Sequence, residues 1–228
     1  MAEPKKLTEQ ESLQLITEMI QKAKGNFHEN GTGPILWGTV IAVCGICTYF
    51  QIEYNWNTGW FSIWYLALIA IIPQIVIDIR ERKQKMVKSH MCVAIDAVWQ
   101  VYGFAIFALI FYFNMVPGAS QTMIQNEGRE LMLKNLQTGT LEPIRPFVLS
   151  QGSLLLLLYG IPTLITGIAR NFKPMLIGGI LCYVFFVISC FTPNKYDFLM
   201  NGLAAIGNWL IPGFILRKEF LKQRKANV

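Results

Sequence analysis

Six long apolar stretches constrain this chain more than any other feature of its sequence. A helix needs about 20 apolar residues to cross a bilayer core of roughly 30 Å, and each stretch has that length or nearly so. They cover residues 35–52, 60–79, 91–116, 147–168, 175–191 and 198–216. We therefore expect an all-α fold, a polytopic transmembrane bundle of six helices over residues 34–216, with a cytoplasmic segment, 1–33, before it and a basic tail, 217–228, after it.

Lysine and arginine lie mostly in alternate gaps between these stretches. Basic residues close to a span are retained on the cytoplasmic side of the membrane. Four precede the first stretch, five separate the second from the third, two follow the fourth and five follow the sixth; the other gaps hold only Arg129, Lys134, Arg145 and Lys195. This pattern predicts that both termini are cytoplasmic. It also accounts for the net charge of +6, so we expect no nucleic-acid partner.

The segment before the first stretch has the pattern of an amphipathic helix. Thr8 and Glu11 have the spacing of a capping box, which satisfies unpaired amides at a helix start. Apolar residues then recur every three or four positions and form one stripe, made of Leu13, Ile16, Ile20, Ala23 and Phe27. The inner membrane surface, a partner helix or the protein's own spans would each cover this stripe. With four basic and five acidic side chains in 1–33, attraction to anionic lipid is weak, so we favour packing against a protein partner, a second copy or the chain itself.

Several polar residues lie within or beside the apolar stretches, where burial in lipid is costly and often marks function. Asp96 and Gln100 lie one turn apart in the third stretch, and Gln74 and Asp78 lie one turn apart in the second. The sixth stretch contributes Asn201 and Asn208. These six side chains are the candidates for an ion pathway in a small transporter or channel. The alternative interpretation is that Asp78 and Asp96 pair with nearby Arg or Lys and fix helix packing.

Five cysteines allow a third hypothesis. Cys44 and Cys47 have the spacing of a dithiol redox centre. This arrangement is superficially similar to that of quinone-linked disulfide oxidoreductases and the vitamin K epoxide reductase family, which also need a second cysteine pair. No other pair is close in sequence here, and an apolar helix offers no charge that activates a thiol. His28 and His90 form no ligand cluster, so we expect no metal and no cofactor.

The longest polar gap, between the third and fourth stretches, contains a weaker helical pattern. Ile124, Leu131 and Met132 lie among polar residues in 120–136. This spacing predicts an amphipathic helix at the outer interface, interrupted at Gly128.

Three apolar segments, 31–38, 171–180 and 211–217, resemble those of a family of small six-span inner-membrane proteins of Bacteroidota-type bacteria. The resemblance implies a six-span architecture in a bacterial inner membrane and carries over no catalytic or binding residue. Our leading hypothesis is a non-enzymatic multi-pass protein, in contact with membrane lipid, that acts as a regulatory or scaffold component. It docks a partner or a second copy through its N-terminal helix.

Overall fold

The structure, a computed structural model, describes residues 8, 10, 13, 30–56, 62–84, 90–146 and 151–226. Most of them are helical. The helices are α1 Thr32–Glu53, α2 Tyr65–Ile69, α3 Ile71–Gln84, α4 His90–Asn126, α5 Gln151–Ala169, α6 Lys173–Ser189, α7 Asn194–Ala205 and α8 Ile211–Ala226, and a π-helical segment, Ile206–Leu210, joins the last two. The strands β1 Met132–Lys134 and β2 Leu141–Pro143 form one small hairpin. The predicted helical fold class is confirmed.

In the part of the chain that the structure describes, four helices are long and apolar enough to cross a membrane. They are Thr32–Glu53, His90–Asn126, Gln151–Ala169 and the continuous helix Asn194–Gln223. The fifth predicted stretch forms α6, whose 17 residues extend only about 25 Å at a rise of 1.5 Å per residue. The second forms α2 and α3, which meet at Ala70. Pro73 follows this junction and has no N–H to donate to the carbonyl of Ile69, so the regular helical bonding is interrupted there.

The core is a bundle of α1, α5, α6 and the continuous α7–α8 helix. The buried residues at its centre are Ile41, Ala42, Leu156, Tyr159, Cys182, Ala204, Ala205 and Trp209. Contacts along the helices fix their directions. Helix α1 runs antiparallel to α7–α8, because Gly45 lies beside Gly202 and Gly38 lies beside Leu210. Gly152 lies beside Asp197, and Thr163 bonds to Trp209, so α5 runs parallel to α7–α8.

Glycines let these helices touch through their backbones. A Cβ placed on Gly45 would lie 2.5 Å from the carbonyl oxygen of Phe198, and one on Gly38 would lie 2.5 Å from the amide nitrogen of Leu210. Any side chain at either position would force α1 away from the last helix. Membrane helices pack closely through small residues of this kind.

Helices α3 and α4 lie at the edge of the bundle. Within the described residues, α3 packs against α1 and α2, whereas α4 packs mainly against α5 and reaches the π-helical segment through Trp99 and Tyr102, whose rings contact Trp209. Polar contacts attach them to the bundle: Trp37 Nε1 donates to Gln74 Oε1 at 3.0 Å, and Trp99 Nε1 donates to Thr166 Oγ1 at 3.0 Å. The apolar surface of α4 is therefore largely uncovered, with 6% of its most apolar part buried.

The predicted interfacial helix over 120–136 is wrong beyond its first turns. Helix α4 continues without interruption to Asn126, and Gly128 then adopts a positive φ of 68°, a conformation that glycine tolerates and that ends helices. Leu133 in the hairpin pairs with Glu142, so the following segment is a strand. The hairpin turn contains Gly139, which also has a positive φ.

The predicted amphipathic helix of residues 1–33 lies almost wholly outside the described residues. Of the five residues in its apolar stripe, the structure describes Leu13, which is helical and exposed. The docking role of Ile16, Ile20, Ala23 and Phe27 stays a prediction. At the other end of the chain, helix α8 continues from Arg217 to Ala226 and so includes most of the basic tail.

Candidate functional site

A group of polar side chains is buried where α5 and α7 begin and α6 ends. We call Gly152, Ser153, Ser189, Asp197 and Asn201 the Asp197 cluster, and this end of the bundle the Asp197 end; the opposite end is the Arg217 end. Asp197 is 0% exposed, and Asn201, Ser153 and Ser189 are also buried. Buried polar side chains normally have hydrogen-bond partners, so each member of the cluster must be accounted for.

Asn201 joins α7 to α5. Its Nδ2 donates to the carbonyl oxygen of Gly152 at 3.0 Å and to the carbonyl oxygen of Asp197, one turn earlier in α7, at 2.7 Å. These two bonds use both hydrogens of the amide group. Its Oδ1 is buried and has no partner in the described part of the chain. Asn201 therefore brings an unused acceptor to the cluster.

Gly152 lets the first turn of α5 lie directly on α7. A Cβ at this position would be 2.5 Å from the Asp197 Cβ and 3.0 Å from Asn201 Nδ2. Next to it, Ser189 Oγ donates to Ser153 Oγ and lies equally close, at 2.8 Å, to the carbonyl oxygen of Phe186. Gly152 and Asn201 thus pack closely on Asp197, and the two serines are bonded to each other beside Gly152.

Neither carboxyl oxygen of Asp197 has a hydrogen-bond partner among the described residues. Removing an unpaired carboxylate from water costs several kcal/mol even after the protein relaxes. Asp197 lies near the start of α7, where the helix dipole favours a negative charge, but that effect contributes only about 0.3–1 kcal/mol. The dipole is too weak to offset the cost of burial. The carboxyl group therefore needs a bound proton or cation to neutralise it.

The nearest basic residue in the sequence does not supply that neutralising charge. Lys195 Nζ lies 2.7 Å from Glu53 Oε2, at the end of α1, and above the ring of Tyr196. The Tyr196 ring in turn packs against Tyr49, with 5.8 Å between ring centroids. These contacts join α1 to the start of α7 at the surface of the Asp197 end.

A second polar position lies further along the same helix. Asn208 is fully buried in the π-helical segment, where its Nδ2 lies 2.9 Å from Cys182 Sγ and its Oδ1 has no partner in the described residues. Its neighbour Trp209 donates through Nε1 to Thr163 Oγ1 at 3.1 Å. Pro212 lacks an N–H, so the carbonyl of Asn208 has no α-helical donor. Single π-turns of this kind are frequent at functional sites.

The six predicted pathway residues occupy three separate places. Gln74 Nε2 donates to Asp78 Oδ1 at 2.8 Å on α3, Asp96 and Gln100 lie on α4, and Asn201 and Asn208 face the bundle core. Because α3 and α4 do not pack on each other within the described residues, the two carboxylates are not brought to one site. Asp197 was missed because it lies one residue before the predicted sixth span. The signal that marks it is its separation of four residues from Asn201.

The cysteines are free thiols in the described structure. Cys44 and Cys182 are buried, whereas Cys190 is exposed, and Cys44 Sγ lies 3.5 Å from the carbonyl oxygen of Ile63. In the described ranges, no group of three or more His, Cys, Asp and Glu side chains has the arrangement of a metal site. Neither observation adds support to the redox hypothesis.

Comparisons with protein-family models, with curated proteins and with solved structures gave no match to this chain. The resemblance to a six-span bacterial family stays a prediction. Function is therefore argued from the packing of the helices and from the buried polar groups.

Proposed function

We propose that this chain is a multi-pass protein of a bacterial inner membrane with six spans and both termini in the cytoplasm. Helix directions support this topology. The end of α5, the start of α6 and the course of α8 into the tail all lie at the Arg217 end, as does the start of α1. This places Arg170, Lys173 and Arg217 together at one end, as expected of a cytoplasmic face.

Within that membrane, the protein acts as a non-enzymatic regulatory or scaffold component that binds a partner or a second copy. The observation that carries this proposal is the position of Gln100. It is exposed on α4, about 15 Å along the helix from His90 at 1.5 Å per residue, and so near the middle of a span. An amide facing lipid is costly, whereas one that hydrogen-bonds to another helix stabilises the contact.

The surroundings of Gln100 fit a helix contact. Gly103 lies three residues further on the same side of α4, and a Cβ placed on it would meet no atom within 4 Å. The open space next to a glycine lets another helix approach closely. The predicted N-terminal stripe, Leu13 to Phe27, supplies a second contact for the same partner outside the membrane.

Native mass spectrometry of the protein extracted in mild detergent tests this proposal. We expect a homo-oligomer or a stoichiometric complex with a foreign chain. Gln100→Leu should lower the ratio of this assembly to the monomer at least tenfold at equal protein concentration. Gln125→Leu is the matched control, because it makes the same change at the end of α4, away from the centre of the span. A protein that is monomeric in mild detergent and in lipid nanodiscs contradicts the proposal.

Transport of a small ion is the second candidate. Two members of the predicted pathway, Asn201 and Asn208, support it because each carries a buried oxygen without a partner in the described chain. We expect the native protein to carry an ion flux into liposomes and a substitution of Asn208 to reduce that flux. Asp96→Asn is measured in the same assay. No flux of protons, sodium or potassium would remove this candidate.

A further inference from the structure

The Asp197 carboxyl is the only fully buried acidic group in the described residues, and nothing in the leading proposal uses it. Both of its oxygens lack a partner there, and it lies against Gly152 and Asn201 without intervening side chains. We propose that Asp197 is a proton-binding site, whose carboxyl group is neutral while the Asp197 end of the bundle is closed and ionises when that end opens to water. This inference requires neither assembly nor transport.

A proton fits this position better than a metal ion does. A cation needs a shell of several oxygen atoms and space for itself, and hard divalent ions prefer more than one carboxylate. The structure brings no second acidic side chain to the cluster, and the contact with Gly152 leaves the Asp197 side chain closely enclosed. A proton needs no cavity. It also turns one carboxyl oxygen into a donor in a cluster that contains an unused acceptor, Asn201 Oδ1.

The neighbouring helices bring no charge that would neutralise Asp197 in another way. On its own helix, Lys195 is paired with Glu53, and Tyr196 is the other titratable residue before Asp197. On α1, the titratable groups at this end are Glu53, Tyr49 and Cys47. The chain just after α6 carries the exposed Cys190, and the exposed Arg145 stands in the segment before α5. The first two turns of α5, 151–158, contain no ionisable residue. Binding and release of a proton at Asp197 is thus the direct way to change the charge of this cluster.

The site links pH to the conformation of the bundle. In the closed form the carboxyl group is buried and neutral; when α5 and α7 separate, it meets water and loses its proton to water, because a solvated aspartate ionises above about pH 3.9. The closed form then holds one more proton than the open form. Its stability relative to the open form consequently falls as the pH rises.

The small number of aspartates makes a direct test possible. The chain contains only Asp78, Asp96 and Asp197, so labelling aspartate with ¹³C at the side-chain carboxyl carbon gives three NMR signals from the protein in lipid vesicles. The variants Asp78→Asn and Asp96→Asn assign two of them. The third belongs to Asp197, and its assignment does not depend on an Asp197 variant that folds.

We expect the Asp197 signal at the position of a neutral carboxylic acid at about pH 6, with no change when choline replaces sodium. A signal at the carboxylate position at this pH overturns the proposal. A chemical shift that changes when choline replaces sodium also overturns it, because Asp197 would then bind a cation and not a proton. In Gly152→Ala, whose methyl group would lie 2.5 Å from the Asp197 Cβ and push α5 away from α7, we expect a larger ionised fraction of Asp197, whereas Gly118→Ala in α4 leaves it unchanged. An unchanged Asp197 signal in Gly152→Ala overturns the link to opening.

Discussion

Asn201 and Gly152 are joined by a hydrogen bond in which Asn201 Nδ2 donates to the Gly152 carbonyl oxygen at 3.0 Å. This bond connects the start of α5 to α7 inside an otherwise apolar bundle. It also fixes the amide, whose Oδ1 is buried without a partner in the described residues. The organisation of the Asp197 cluster therefore depends on Asn201.

Asn201→Ala should destabilise the bundle. The change removes two donated bonds and leaves the buried carbonyl of Gly152 without its side-chain donor, a loss of about 1–3 kcal/mol. Tryptophan fluorescence during thermal unfolding in detergent measures this loss of stability. Asn114→Ala is the control, since that side chain is exposed and bonds only to the carbonyl of Ile110 in its own helix. Equal effects of the two variants would contradict this view of Asn201.

Gly152→Ala should be destabilising although alanine favours helices. Its methyl group would lie 2.5 Å from the Asp197 Cβ, so α5 and α7 must move apart, and overpacking of this kind costs about 1–3 kcal/mol. Gly118→Ala makes the same change in α4, where a Cβ meets nothing within 4 Å. We expect that control to be neutral or stabilising in the same unfolding measurement. A neutral Gly152→Ala would mean that the two helices are not in direct contact.

Trp209→Phe should loosen the centre of the bundle. The indole N–H that reaches Thr163 is lost, and part of the ring's packing against Tyr159, at 4.9 Å between centroids, is lost with it. We expect a destabilisation of about 1–3 kcal/mol because the buried Thr163 oxygen loses its donor, although its hydroxyl still donates to the carbonyl of Tyr159. Trp56→Phe, at an exposed position after α1, is the matched control. Its unfolding temperature should equal that of the native protein.

Ile16→Asp combined with Ile20→Asp should release a docked partner without unfolding the membrane domain. Charged residues in the apolar stripe prevent its burial against another helix. Co-purification of the partner, or the oligomeric state, is the measurement, and the unfolding temperature of the bundle should not change. Gln14→Asp adds one charge outside the stripe and is expected to preserve the contact. Unchanged assembly in the double variant would remove the docking role of this segment.

The sequence pattern predicted which segments are helical but not which helices pack against each other. Apolar length predicted α1, α4, α5 and the α7–α8 helix well, because membrane thickness sets the length of such helices. The packing of the helices depends on contacts between residues far apart in sequence, such as Gly45 with Phe198. The spacing of apolar residues within one helix does not predict such contacts. For this reason the sequence could not show that Asp78 and Asp96 lie on helices that do not pack on each other within the described residues.

The two local errors have separate causes. The hairpin was missed because three apolar residues in 120–136 matched a helical spacing, while Gly128 and Gly139 adopt the positive φ that ends a helix and closes a turn. Asp197 was missed because it precedes the predicted sixth stretch, 198–216, by one residue. Helix α7 begins at Asn194, earlier than hydropathy predicts, and that extra turn carries the carboxyl group into the protein.

The glycine contacts of α1 have a mechanical consequence. Gly45 and Gly38 hold the α1 backbone against α7–α8 at two levels, and Gly213 lies against Ile35 at a third. Helices locked at three levels cannot slide or turn independently, so the first and last helices behave as one lever. A force applied to α1 near Gly31 is therefore passed to α8 near Leu216.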